Sequence, residues 1–582
     1  MSEPRKRRMW PFVLLAGVGL LSVPALIGAS VWMSAQSEQK VEPGTFLELK
    51  IAGGLTEGPS PAGDFLAELS PGSISSIWDV RQALRRAADD EAVSGMLITL
   101  EGVAMGTAAQ GELIDEIVRF RDAGKPVHVL MRSDMVTEPE LNVATAGSTI
   151  WATPHAMWMV NGFQADVAFY KGALDKIHVE PDFIMFKEYK SAGEPYSREE
   201  MSEYFREAIT DVVGDIQDNL WAGIVERRGV ERDAFMTLVD RGAFSPEDAQ
   251  EIGLIDNIGY LDQVRDALVS EAGVDEWEGL SLGKYLKNSK SSTPEDAQTV
   301  AVIFGEGPIV ASSADQGLFG GSQQISGPKL AAAFRDAVED EDVKAIVFRV
   351  NSPGGSAVGN DLIWREIKRA QEAGKPVIVS MSSVAGSGGY WIAMAADSIV
   401  VRPDTITGSI GVVFGKFNVR GLYEWAGANV DSVSFAENAD IMSPYETMSE
   451  EQRATMVGAI GVMYDGFTAK VAEGRGMPEA KVKQLAKGRI WSGQDAVENG
   501  LADKIGGMDV ALDEARAAAE LGDGPLALTV YPRKKDFFEQ LLLGELEFTT
   551  PEITVDPLNL QVVLDELTEP NVRVMMPEIT LR

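Results

Sequence analysis

The stretch V-I-V-S-M-S-S-V-A-G-S-G-G-Y-W-I-A-M-A-A, residues 377–396, decides how the chain is read. Val377 to Met381 is an apolar run of strand length. Small residues follow, and an apolar helix is expected from about Tyr390. Ser387 falls where the turn becomes the helix, flanked by Gly386, Gly388 and Gly389. The first N–H groups of a helix lack an internal partner and carry partial positive charge. Glycines let a substrate carbonyl approach the backbone closely. Ser387 is therefore a candidate nucleophile, and the Gly388 N–H a candidate donor to the oxygen that turns negative after attack. A glycine-rich turn capped by a serine would give the same pattern.

Outward from this stretch, the surrounding signatures occur twice. V-S-G-M-L-I-T-L at 93–100 answers V-K-A-I-V-F-R-V at 343–350, and A-G-K-P-V at 123–127 recurs at 373–377. Both pairs are offset by 250 (343 − 93 and 373 − 123). F-S-P-E-D-A…G-L-I-D-N-I-G at 244–259 answers W-S-G-Q-D-A…G-L-A-D-K-I-G at 491–506. Self-similarity at this length is a duplicated domain. In the first copy, strands expected at 46–51, 95–100 and 127–131 alternate with helices at 75–88 and 111–123. That order predicts an α/β fold with parallel strands and right-handed crossovers. The first domain is drawn at 45–285, a polar linker at 286–299 and the second domain at 300–523. Residues 524–582 fall outside the duplication, with a strand expected at 526–531, an amphipathic helix at 535–543 and Pro-bounded acidic segments after it.

At the other end, residues 1–8 carry Arg5, Lys6, Arg7 and Arg8, and residues 9–34 carry no charge. That uncharged run is longer than the roughly 20 residues that span a bilayer and than the about 7–15 of a signal-peptide core. It predicts a transmembrane anchor, kinked at Pro24. The basic flank puts residues 1–8 in the cytoplasm and the body of the protein outside it. A cleaved signal peptide would export the body equally.

The chain has 582 residues and a formal net charge of −36. Such an acidic excess argues against a nucleic-acid partner. There is no Cys, which excludes thiol catalysis, disulfides and thiolate metal sites. The three His, at 128, 155 and 178, all lie in the first copy. They support neither a metal site nor a Ser-His-Asp triad, and no cofactor is indicated.

The two copies differ where chemistry would sit. The offset sets Thr137-Glu138-Pro139 against Ser387-Gly388-Gly389. E-Y-K-S-A-G-E-P-Y at 188–196 aligns with E-N-A-D-I-M-S-P-Y at 437–445, so Lys190 faces Ala439. The first copy keeps a Lys and lacks the Ser motif; the second is the reverse. Complementary loss points to one composite site holding a Ser-Lys dyad. Lysine acts as a base only when neutral, so its pKa of about 10.4 must fall toward about 7–8. Lys187, aligned with Ala436, is a rival that the pattern does not separate from Lys190. N-S-P-G-G-S at 351–356 offers Gly354 or Gly355 as a second oxyanion donor. T-G-S-I-G-V at 407–412 offers the Ser409 hydroxyl to orient the lysine.

Taken together, S-P-G-G-S, A-G-K-P-V, G-S-G-G-Y-W, T-G-S-I-G-V and E-Y-K-S-A resemble the signal peptide peptidase A (protease IV) family, in its double-length, membrane-anchored branch. The resemblance runs from the anchor to about residue 520. It implies two tandem ClpP/crotonase-like domains and a bowl-shaped homotetramer facing the periplasm. It also implies a single-pass protein of the bacterial inner membrane, cleaving leftover signal peptides and other apolar peptides. Carried over by position, Ser387 is the nucleophile and Lys190, rather than Lys187, the general base. Gly388 with Gly354 or Gly355 lines the oxyanion hole, and Ser409 holds the lysine. The rival class is a non-catalytic membrane scaffold. A coenzyme-A enzyme on the related fold is disfavoured by an exported location.

Overall fold

The computed structural model describes residues 41–59, 74–289, 294, 296–312, 324–533, 571–575 and 580–581. The anchor expected at 9–34 and the helix expected at 535–543 lie outside these residues. Among the described residues no helix is long and apolar enough to cross a membrane.

Each half is built on a largely parallel sheet. In the first, the strand order is Glu278–Ser281, Thr45–Gly53, Val93–Val103, Val127–Met131, Thr149–Ala152 and Asn257–Ile258, and every pairing is parallel. In the second, Leu526–Tyr531, Gln298–Glu306, Val343–Ser352, Val377–Gly386 and Ile406–Gly408 pair in parallel, and Ile490–Ser492 closes the edge antiparallel. Leu526–Tyr531 occupies the edge beside Gln298–Glu306 that Glu278–Ser281 occupies beside Thr45–Gly53. The sheet of the second half therefore reaches residue 531. The polar stretch 286–299 holds the end of a helix, Leu282–Asn288, and the start of Gln298–Glu306.

The repeated signatures have repeated structural jobs. In A-G-K-P, Gly124 and Gly374 take positive φ (88° and 78°), and the lysine turns back onto a preceding helix end. Lys125 Nζ donates to the carbonyls of Ala87 (2.6 Å) and Asp90 (2.5 Å). Lys375 Nζ donates to those of Val338 (2.7 Å) and Asp340 (2.6 Å). Each satisfies carbonyls left open at a helix C-terminus. Ser245 and Ser492 are both N-caps, accepting from the N–H of Asp248 and Asp495 at 3.2 Å.

Two helices differ from expectation. Thr107–Asp122 begins before Gly111. Gly111 is an interior position, where a Cβ would meet the end of the Arg402 side chain of the other half. The helix expected from Tyr390 is a single turn, Gly388–Trp391. The chain must be back in the sheet at Ser398–Val401, which leaves no length for more.

Of the contacts that join the halves, two bear most on the site. A further sheet runs Ile325–Ser326, Ile309–Val310, Gly354–Ser356, Asn571–Met575, Val412–Asn418 and Glu180–Phe186. Its last pairing, Phe186↔Val412 to Glu180↔Asn418, is antiparallel and crosses from one half to the other. The second feature is a buried ionic knot. Arg349 donates to Glu57 (2.9 Å), Glu112 (3.0 Å) and Ser380 (2.7 Å). Glu112 also accepts from the Met508 N–H at 3.0 Å. Burial alone would raise the Glu112 pKa, but the charges of Arg349, Arg402 and Arg81 outweigh it and hold the group below the ordinary carboxylate range. Removing one partner of such a cluster strands the others without water. Arg349→Met is expected to cost about 3–5 kcal/mol, read as a lower midpoint in urea denaturation.

Candidate active site

Ser387 ends the strand Val377–Gly386 and caps the short helix turn after it. Its backbone has φ 57° and ψ −112°, a region that side chains other than glycine rarely enter. The Ser387 N–H donates to the Gly408 carbonyl at 2.8 Å, and the Trp391 N–H donates to the Ser387 carbonyl at 2.9 Å. The strained position is thus held from both sides.

Lys190 arrives from the first half. It follows Glu180–Phe186, the strand that pairs with Val412–Asn418, by way of a turn in which the Lys190 N–H donates to the Lys187 carbonyl (3.1 Å). The Tyr189 N–H is tied to the Lys487 carbonyl of the second half at 3.0 Å. Lys190 Nζ then lies 2.7 Å from Ser387 Oγ. It lies 3.0 Å from both the carbonyl and the hydroxyl oxygen of Ser409. Lys190, Ser387 and Ser409 are each no more than 1% exposed. Burial drives the Lys190 pKa well below its ordinary value. An ammonium cannot be solvated there, so the neutral amine is favoured. The rival Lys187 is exposed. Its ammonium sits over the Phe186 and Tyr464 rings, 4.7 and 5.7 Å from their centroids.

The glycines expected near the serine are there. A Cβ on Gly388 would come within 2.9 Å of Gly354 Cα, so the two backbones are in contact. Gly354 (φ 103°) donates its N–H to Ser352 Oγ at 3.2 Å. Gly355 pairs with Ile309 on one side and with Val574 on the other. Three further residues were not singled out from sequence. Gly488 touches Lys190 so closely that a Cβ would lie 2.5–2.6 Å from its backbone N, Cα and Cβ. Gly411 packs on the lysine stem, with a Cβ 3.1 Å from Lys190 Cδ. Asn360 is fully buried against Gly388, with neither amide atom partnered among the described residues. Gly411 was visible in T-G-S-I-G-V; Gly488 and Asn360 sit in no motif that names them.

In the first half the corresponding place is filled. Glu138, aligned with Gly388, is buried and accepts from the N–H groups of Asn161 (2.7 Å) and Gly162 (2.6 Å). Burial raises its pKa despite those bonds.

This arrangement has known relatives. The model of peptidase family S49 matches residues 119–275 and again 369–522. The chain belongs to peptidase family S49. The first match contains Lys190, the second Ser387, and their starts differ by the same 250 residues (369 − 119) as the sequence repeats. Protease 4 of Salmonella typhi is 31% identical over 576 residues, covering 95% of this chain and 87% of that protein. The chloroplastic serine protease SPPA of Arabidopsis thaliana is 30% identical over 540 residues, 91% of this chain and 77% of that one. Protease 4 of Haemophilus influenzae is 30% identical over 472 residues, 78% and 75%. The protein is a serine protease, hydrolysing peptide bonds.

Gly488 tests the seating of Lys190 without touching either reacting atom. Gly488→Ala adds a Cβ into the Lys190 backbone at positive φ (83°). Displacement of about 1 Å at a reacting group costs on the order of 10²-fold in rate. The variant is expected to lose kcat to that extent in a peptide assay while its circular dichroism stays unchanged.

Proposed function

We propose that this protein is a membrane-anchored signal peptide peptidase working through a Ser387–Lys190 dyad on two tandem ClpP/crotonase-like domains. The contact that carries this reading is the 2.7 Å approach of the Lys190 amine to the Ser387 hydroxyl in a site closed to water. Ser387 attacks the peptide carbonyl as neutral Lys190 takes its proton, and the lysine returns the proton to the departing amine. Water, deprotonated in turn by Lys190, releases the acyl group. Ser409 holds the amine toward Ser387 from behind. The N–H groups of Gly388 and of Gly355, or of Gly354 once it leaves Ser352 Oγ, meet the developing negative oxygen, and the Asn360 amide, unpartnered among the described residues, lies beside them.

The uncharged run at 9–34 supports an anchor that keeps the site beside membrane-embedded peptides, with the catalytic region in the periplasm. Internal symmetry supports a homo-oligomer, read as a tetramer. Val412–Asn418 pairs with a tail strand on one edge and with Glu180–Phe186 on the other. Its first-half counterpart, Ala165–Asp166, pairs with the tail at Thr580–Leu581. The second-half counterpart of Glu180–Phe186, by the 249 offset that sets Lys190 against Ala439, is residues 429–435, where Val433 and Phe435 are 78% and 97% exposed. A second copy of the chain can supply the partner that repeats the intrachain pairing. Val433→Asp combined with Phe435→Asp is expected to reduce the mass measured by light scattering to that of a monomer. An unchanged mass rejects this interface.

Ser387→Ala and Lys190→Met are each expected to abolish hydrolysis, read with an internally quenched peptide, and persistent turnover in either rejects the dyad. The rate of the native chain should rise with pH as Lys190 loses its proton, along a curve absent from the residual rate of Lys190→Met. Stability carries the same sign. The folded-state pKa of Lys190 is depressed below its unfolded value of about 10.4. Between the two values the unfolded chain holds the extra proton, so stability rises with pH across that window. Lys190→Met should thus be more stable than the native chain at pH 7, and the gap should close as pH approaches about 10.4.

A further inference from the structure

The strand Asn571–Met575 runs antiparallel to both Gly354–Ser356 and Val412–Asn418, filling the slot between them. Residue 575 faces Gly354, the glycine in contact with Gly388 beside Ser387. Residue 573 faces both Ser356 and Val413, and residue 571 faces Gly415. A peptide lying in this slot is therefore bonded along both edges, and its direction is fixed. Its C-terminal end meets Ser387 and its N-terminal end runs toward Phe417. Strand addition of this kind supplies affinity through the backbone and leaves selection to pockets for alternate side chains.

Such a pocket lies at the far end. Val413, Gly415 and Phe417 share one face of their strand, opposite the core face of Val412 and Phe414. On that face the Phe183 ring covers Gly415. Phe183, Tyr196 and Phe417 pack edge to face or stacked, at 5.4–5.6 Å between centroids. Beside them opens an apolar cavity of about 360 Å³, bordered by Tyr170, Leu174, Ile177, Tyr196 and Phe417. Residues directly opposite on antiparallel strands put their side chains on the same face. In the observed register the substrate residue opposite Gly415 is four upstream of the one facing Gly354 (575 − 571). The residue opposite Phe417 is about six upstream by the same two-residue period.

We propose that this cavity is a distal substrate subsite, which takes a bulky apolar side chain six residues upstream of the residue facing Gly354. The occupant is an extended peptide carrying Leu, Ile or Phe at that position. By count along the sequence alone, the residue six before Met575 is Glu569. A carboxylate does not suit an apolar cavity, so a peptide with an apolar anchor has the advantage over the chain's own sequence. The inference rests on reading Ser387 as the attacking group, since that sets where the count begins.

The test uses dye-labelled alanine-rich peptides in which one Leu is moved along the sequence. Binding to the full-length Ser387→Ala chain is read by fluorescence anisotropy, and hydrolysis by the native chain in parallel. Leu at the sixth upstream position is expected to tighten binding about tenfold over Leu at the fifth or seventh, the scale of burying one such side chain. Tyr170→Ser with Ile177→Ser, both partly exposed sites, should erase that preference and raise KM for the long peptide. The same pair should leave kcat unchanged, along with the hydrolysis of peptides too short to reach the cavity. Binding that does not depend on Leu position, a preference that survives the double variant, or failure of any peptide to bind overturns the subsite. A position-dependent binding signal without hydrolysis by the native chain would instead keep the subsite and remove the proposed dyad.

Discussion

The antiparallel pairing of Glu180–Phe186 with Val412–Asn418 is the contact on which the site depends. It ties a strand of the first half to a strand of the second over seven residues, Phe186↔Val412 to Glu180↔Asn418. Register in a sheet is discrete, and a slip of one residue would turn every side chain to the other face. Here Ile184 and Phe414 face the core together, while Phe183 crosses Gly415 on the other side. Neither could exchange places without burying nothing on one face and colliding on the other. With that register set, Lys190 is four residues beyond the end of a fixed strand (190 − 186). The turn at Lys187 and the bare surface of Gly488 do the rest. The buried knot around Arg349 serves the same end from the opposite side of the interface, because it holds the halves at one separation.

Holding an amine in this place works against stability, and the surroundings reflect it. The hydrogen-bond partners of Lys190 Nζ are neutral, namely two oxygens of Ser409 and one of Ser387. Lys416, also buried, is bound instead by three carbonyls, and charges from Asp182, Asp440 and Glu446 work against the lowering that burial imposes. Among the described residues no counter-charge offsets burial at Lys190, which leaves burial as its dominant influence. The positive φ of Ser387 adds strain on the order of 1–3 kcal/mol. Both penalties fall on the same few residues and are tolerated because strands on either side leave them no alternative.

Much of the fold was legible because the chain says it twice. The apolar runs at 93–100 and 343–350 and the shared A-G-K-P turns gave the strands and crossovers, and the structure explains why those signatures repeat. Lys125 and Lys375 close helix ends, and Ser245 and Ser492 cap helices, in both halves alike. Shared residues built the scaffold, so the residues that differ, Lys190 and Ser387, were the ones to bring together. What the sequence hid is of another kind. Gly488 matters only because Lys190 presses on it from 298 residues away (488 − 190). Gly111 reads as a helix start because nothing local reveals Arg402 lying across it. The slot strand Asn571–Met575 pairs with two strands that have no sequence relation to it. Contacts between distant segments leave no periodicity, and a periodicity is what a single sequence offers.

The first half fills the corresponding place with a different side chain. Glu138 stands where Gly388 stands, and Asn161 and Gly162 stand where Gly411 and Val412 do by the same offset. In the second half that backbone makes room for the stem of Lys190. In the first, its N–H groups bind the Glu138 carboxylate. A cavity lined with backbone donors cannot be left empty without cost, because each unpaired donor forfeits roughly 1–3 kcal/mol. In the first half a carboxylate from within, that of Glu138, satisfies such donors. The two halves thus differ in more than two motifs. The plug in one half and the opening in the other are two uses of equivalent backbone.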